Sequence, residues 1–156
     1  MKRGLPDFSQ ILYKVRVTPI HPQPSSDAAH AGDNPDLKGP LTRYGVDFAV
    51  SVGDLAFETT ADGMRDANLE VMLIAYDRDG KPLNAVTRKH ELRMKPENYA
   101  AAQAAGLQMH FEIDVPTDEL ARNDVYLHAG IYDVRASNAG TLEVPLHPTS
   151  GTVTAK

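Results

Sequence analysis

Residues 107 to 115 read Leu-Gln-Met-His-Phe-Glu-Ile-Asp-Val, apolar at every odd position and polar at every even one. Successive side chains of an extended chain point to opposite faces, so this run is a strand with one face on a core and the other in water. It sets the class as all-β. Gly106 in front of it and Pro116 behind it punctuate both ends. Immediately upstream, residues 96 to 105 open on a proline suited to a first helical turn, follow it with Glu97, and carry five alanines. One short helix in a connection is predicted there.

Further out, the same period recurs. Residues 11 to 20 place Tyr13, Val15 and Val17 opposite Lys14 and Arg16, with Pro19 expected to end the pairing. Residues 44 to 52 set Tyr44, Val46, Phe48 and Val50 against Gly45, Asp47 and Ala49, and residues 55 to 59 are expected to continue that strand beyond a bend at Gly53-Asp54. Residues 68 to 77 are apolar on both sides, as in a central strand covered on both faces, and Asp79-Gly80 turns the chain into a return strand over 82 to 94. Two more strands follow, over 125 to 134 and 141 to 146, the second entered through a turn at Ala139-Gly140. About seven strands spaced by turn signals, with one short helix, predict an immunoglobulin-like antiparallel β-sandwich over residues 10 to 147. Residues 1 to 9 are an N-terminal extension and 148 to 156 a polar C-terminal tail. Residues 21 to 40 lack an apolar period and abound in turn formers, which predicts a long mobile loop.

Composition narrows the role. An apolar fraction of 42% with 24% charged residues is that of one globular domain. Sixteen basic against twenty-one acidic side chains lack the footprint of a nucleic-acid binder. There is no cysteine, hence no disulfide and no thiolate site, and no apolar run of membrane-spanning length. The basic start, Met1-Lys2-Arg3, leads into no apolar stretch of signal-peptide length, and Met1 is compatible with an artificial start.

Chemistry-bearing clusters each meet a structural explanation. Asp77 and Asp79 resemble the opening of a calcium loop, but Lys81 and Arg88 stand where oxygen ligands belong, and a solvated hairpin tip accounts for them; Asp62 and Asp66 are the carboxylates that a cation site near the tip would draw on. The histidines at 21, 30, 90, 110, 128 and 147 show no zinc spacing, although His90 and His128 could meet across strands. Glu112 and Asp114 share the wet face of their strand, and Asp118-Glu119 lies in a loop. No serine sits in a nucleophile elbow, and no phosphate-binding glycine motif is present. No catalytic, cofactor-binding or metal residue is assigned, and a non-catalytic role is expected. Tyr99 and Tyr126 are the aromatics that a carbohydrate-binding module would use.

A run of motifs carries a family resemblance: Leu-Lys-Gly-Pro-Leu-Thr-Arg-Tyr at 37 to 44, Ile-Ala-Tyr-Asp-Arg-Asp-Gly-Lys at 74 to 81, Lys-Pro-Glu-Asn-Tyr at 95 to 99, Gly-Leu-Gln-Met-His-Phe-Glu-Ile at 106 to 113, Gly-Ile-Tyr-Asp at 130 to 133 and Gly-Thr-Leu-Glu-Val-Pro-Leu at 140 to 146. Together they resemble the carboxy-terminal region of acidobacterial proteins related to the von Willebrand factor type A domain. The resemblance spans residues 10 to 147. It implies an exported or cell-surface bacterial protein in which a metal-dependent adhesion-type domain precedes this segment, whose own task is contact with a protein partner or a neighbouring domain. The Asp-x-Ser-x-Ser metal motif of that preceding domain is not matched here, since Asp7-Phe8-Ser9-Gln10-Ile11 ends on an isoleucine, and no ligand carries over.

Overall fold

The structure is a computed structural model that describes residues 9–20, 30–122, 125–147 and the backbone of 153–155. Its strands are β1 (Tyr13–Ile20), β2 (Leu41–Val50), β3 (Glu58–Thr59), β4 (Arg65–Tyr76), β5 (Pro82–Met94), β6 (Leu107–Pro116), β7 (Val125–Asp133), β8 (Asn138–Leu146) and β9 (Val153–Ala155). One sheet has the order β6-β2-β1-β9; in the other β4 lies between β5 on one side and β7 on the other, β7 is followed by β8, and β3 adds two residues beside β4. All pairings are antiparallel. Grouping the first, second and sixth strands against the fourth, fifth, seventh and eighth is the immunoglobulin-like sandwich that the alternation predicts. The seven long strands match the expected count, and β3 and β9 are short additions.

The core lies where the odd-numbered stripe of β6 put it. Phe111, Ile113 and Val115 pack with Val46, Phe48 and Val50 of β2 against Leu69, Val71 and Leu73 of β4 and Leu127, Ala129 and Ile131 of β7. Phe48 is the hub: Phe111 meets it edge-on at 5.7 Å and Tyr13 tilts against it at 5.6 Å. The Tyr13 hydroxyl then donates to the Ala129 carbonyl at 2.7 Å, a polar tie from β1 to the opposite sheet. Ala139 and Gly140 do not form a turn but lie inside β8, and Gly140 lets the segment leading into β1 cross close over β8, because a Cβ there would collide with the Ile11 carbonyl.

Several expectations give way to tertiary context. Pro19 does not end pairing: β1 stays in register with β2 through Pro19↔Tyr44 and Ile20↔Arg43. The described part of β9 faces only Val15 to Val17, so Pro19 lies where no N–H is required on that flank. Residues 55 to 59 do not prolong β2. A 3₁₀ turn, Val52–Asp54, redirects the chain, and β3 joins β4 in the other sheet. Central β4 is covered on one face only, since Met72 and Ile74 stay half-exposed on its outer side. Besides α1 (Pro96–Ala105), which is the predicted helix, the residues after β6 wind into α2 (Thr117–Ala121), anchored by buried Leu120.

The largest difference concerns residues 21 to 40. Residues 21 to 29 lie outside the described residues, but 30 to 36 are docked, not mobile, across the flank where β5 of one sheet meets β6 of the other. Two buried polar side chains hold them. Asn84 donates to the carbonyls of Ala31 (2.9 Å) and Asp114 (2.8 Å) and accepts from the Asn34 and Ala85 amides. The Asp114 carboxylate takes the Ala31 N–H at 2.7 Å, while the Asp114 N–H returns to the Ala31 carbonyl. Asn34 Nδ2 reaches the Leu83 carbonyl, and Asp33 caps the Thr87 N–H and pairs with Arg88. Gly32 (φ +138°) lies against the Asn84 amide, where any side chain would collide with it. A polar sequence is thus ordered by hydrogen bonds that hydrophobic periodicity does not register.

Candidate functional site

Aspartates that sequence reading singled out are spent on architecture. Asp77 accepts the N–H groups of Asp79 (2.9 Å) and Lys81 (2.8 Å), closing the β4–β5 turn in which Gly80 has φ +80°. Asp62 and Asp66 lie at the other end of β4 from this tip, both bridged by Arg93, so they are not brought together with Asp77 and Asp79. Fully buried Asp133 accepts from the amides of Ala56 (2.6 Å), Arg135 (2.9 Å) and Ala136 (3.0 Å), fixing both the crossing into β3 and the turn before β8. Among the described residues no three metal-binding side chains converge.

The two strand histidines do not meet. His90 opposes Leu69 on the core side, with its ring on Phe111 at 5.4 Å. His128 opposes Ile74 on the outer side, where Nε2 lies 2.7 Å from Glu143 and Tyr76 stands edge-on. An odd residue separation from a shared β4 register puts them on opposite faces of one sheet. Tyr99 is packed edge-on against Phe57 at 5.0 Å with the Arg65 guanidinium over its ring, whereas Tyr126 shares the outer face with its cross-strand neighbour Tyr76 and with exposed Tyr132.

What the fold does assemble is the outer face of the other sheet. Cross-strand registers stack four rows: Lys14, Ala49 and Gln108; Arg16, Asp47 and His110; Thr18, Gly45 and Glu112; Ile20, Arg43 and Asp114. Residues in one row share a face because the period is two. Asp114, which sequence reading placed in water, is buried: Arg43 grips it through Nε (2.8 Å) and a second guanidinium nitrogen (3.0 Å) and extends to Glu112 at 3.3 Å. Burial alone would raise the Asp114 pKa, but the guanidinium and the Ala31 N–H outweigh it and hold the carboxyl below its usual range. His110 lies between two acids, Nδ1 at 2.6 Å from Asp47 and Nε2 at 3.7 Å from Glu112. Its pKa is raised, chiefly by the Asp47 hydrogen bond.

The first two rows differ from the others. Ala49 is small and central, and around it the side chains of Lys14, Arg16, Gln108 and His110 frame an open trough of about 390 Å³. Asp47 is committed to His110, and neither Lys14 nor Arg16 has a carboxylate partner among the described residues. Exposed Leu12 precedes this row, its carbonyl bonded to the Ser51 N–H. The trough thus presents two cationic heads without a carboxylate partner among the described residues, beside the His110–Asp47 pair. Sequence reading recognised the polar faces of β1, β2 and β6 but not this trough, which exists only once the three registers are known. Among the described residues no helix is long and apolar enough to cross a membrane. Compared with family models, with curated proteins and with solved structures, the chain matches none.

Proposed function

We propose that this sandwich is a non-catalytic interaction domain of an exported or cell-surface bacterial protein, contacting another protein or a neighbouring domain of its parent chain, in keeping with the resemblance to the carboxy-terminal region of proteins related to the von Willebrand factor type A domain. The observation that carries this reading is the division of labour among polar side chains. Asp33, Asp77, Asn84, Asp114 and Asp133 are consumed in holding loops and turns, while Lys14 and Arg16 beside the Ala49 trough are left without partners among the described residues. Cations without a structural task on a protein of net charge −5 fit a contact surface.

The test is site-specific photocrosslinking in the parent chain. A crosslinker at Ala49 is expected to capture another domain or chain, and one at Thr87, beside the docked loop, is not. Absence of crosslinks from position 49, with the probe shown to be photoreactive, would remove this face from the reading.

A second reading, a carbohydrate-binding sandwich, draws on one observation: half-buried Tyr126 and exposed Tyr132 share the outer face of the sheet formed by β4, β5, β7 and β8, although Tyr76 opposite Tyr126 is buried. Aromatic rings on an open sheet stack on sugar rings. A glycan array with Tyr132→Ala beside the wild type tests it, and an array on which the wild type finds no ligand ends it.

A further inference from the structure

Building on the interaction role just argued, we propose that the Ala49 trough receives an extended acidic segment of a protein partner, whose alternate carboxylates seat on Lys14 and Arg16.

Spacing is the first support. Lys14 and Arg16 stand two residues apart on the same face of β1, about 6.5 to 7 Å along the strand. Carboxylates at alternate positions of an extended peptide have the same repeat, so one chain lying along β1 engages both cations without distortion. Leu12 continues that face by one further step and is 63% exposed, offering an apolar contact to a third alternate side chain.

Charge is the second. Arg16 stands in the row of Asp47, which would ordinarily pair with it. His110 holds the Asp47 carboxylate at 2.6 Å instead, and Glu112 is shared between His110 and Arg43. The acids nearest the trough therefore already have cations, and the Lys14 and Arg16 heads have no carboxylate partner among the described residues. Gln108, on the opposite wall, is anchored by its Nε2 donating to the Ala105 carbonyl at 3.1 Å, which leaves its amide oxygen as an acceptor for a peptide N–H.

Shape is the third. β2 is the central strand here, its backbone N–H and C=O groups spent on β1 and β6. The trough floor therefore offers no cluster of backbone donors of the kind that enfolds a free phosphate or sulfate. Its cations come from side chains strung along one strand, which suits a linear polyanion of peptide repeat.

The probe is a blocked peptide alternating glutamate with serine, titrated into the isotopically labelled domain with backbone amide shifts as readout. Saturable shifts are expected at Lys14, Arg16, Ala49 and Gln108, weakening as salt rises. In the Lys14→Ser, Arg16→Ser double variant, both exposed positions, affinity should fall at least tenfold, while Lys89→Ser on the other sheet leaves it unchanged. A glutamine–serine peptide should leave the spectrum unmoved. The proposal is overturned if the double variant binds as the wild type does, if the shifts map to the β4–β7 face, or if inorganic phosphate reproduces the saturable shifts. None of these outcomes touches the interaction role itself, which the crosslinking at position 49 reads independently.

Discussion

Asp114 shows how much a single side chain can organise. It binds Arg43 through both oxygens and ties the docked loop to β6, while it is only 3% exposed. Its folded pKa is depressed, so the sign is fixed: its contribution to stability is present above the ordinary carboxylate pKa of about 4 and is lost as pH falls through the lower folded value. Asp114→Asn keeps the shape but removes the charge that strengthens these hydrogen bonds. The unfolding free energy from denaturant titration is expected to drop by about 1.5 to 3 kcal/mol at pH 7, with the gap between variant and wild type closing as pH falls through the depressed folded pKa. His110 works in the opposite direction. Its raised folded pKa makes its small contribution complete below about pH 6.5 and lost as pH rises past the folded value, and its exposure keeps that effect within a fraction of a kcal/mol. Gly32 is the other decisive residue. With φ at +138° and Asn84 against its Cα, Gly32→Ala should cost about 1 to 3 kcal/mol and speed hydrogen exchange at the Ala31 and Asn34 amides. Exchange unchanged at those two amides would show that the loop does not depend on this contact.

Among elements, β6 tests the alternation that defines the class. Phe111 is 7% exposed between Phe48 and His90, so Phe111→Asp buries an unpaired charge and should unfold the domain or cost at least about 4 kcal/mol. The polar neighbour is less passive than an exposed strand position suggests by sequence. His110→Asp would set three carboxylates in succession, with Asp47 opposite and Glu112 two residues on, and is expected to cost about 0.5 to 1 kcal/mol, most of which Asp47→Asn restores. Thermal melts of the three variants check it: equal losses for Phe111→Asp and His110→Asp would mean the register is inverted. The strands were legible because half-buried sheets write their period into the chain. The trough was not, because Lys14, Ala49 and Gln108 are distant in sequence and become neighbours only through two registers. His90 and His128 mislead for the same reason, since membership of the same sheet says nothing about which face each occupies until β4 is used as a ruler.

For the whole molecule, the informative failure of sequence reading is the polar segment before β2. Periodicity detects burial of apolar surface, and residues 30 to 36 bury little of it; they are ordered by carbonyls and amides meeting Asn84, Asp114 and β5. Motifs behind the family resemblance belong to the same class of device. Asp77 and Asp133 fasten turns, and Gly140 permits the crossing to β1, so they record how this sandwich is closed more than what it binds. Closure at the β5–β6 flank has a consequence for the molecule as a unit. β5 is an edge strand, and the loop covers its first half while Arg88, Lys89, Glu91 and Arg93 blunt the rest with charge. Replacing residues 30 to 36 by a glycine–serine linker of equal length removes the Asp33 and Asn34 side chains that pin the loop to β5 and leaves a more flexible backbone to meet Asn84 and Asp114, weakening the hydrogen bonds of these two buried side chains by about 1 to 3 kcal/mol each while the apolar core stays complete. The domain is therefore expected to remain folded with the same dependence on denaturant, to lose about 2 to 5 kcal/mol, and to associate through the uncovered edge of β5 at concentrations where the wild type does not. Denaturation and sedimentation of the variant together decide this: undiminished stability would mean that Asn84 and Asp114 are satisfied without the loop, and a monomer of reduced stability would mean that the charged half of β5 protects the edge by itself.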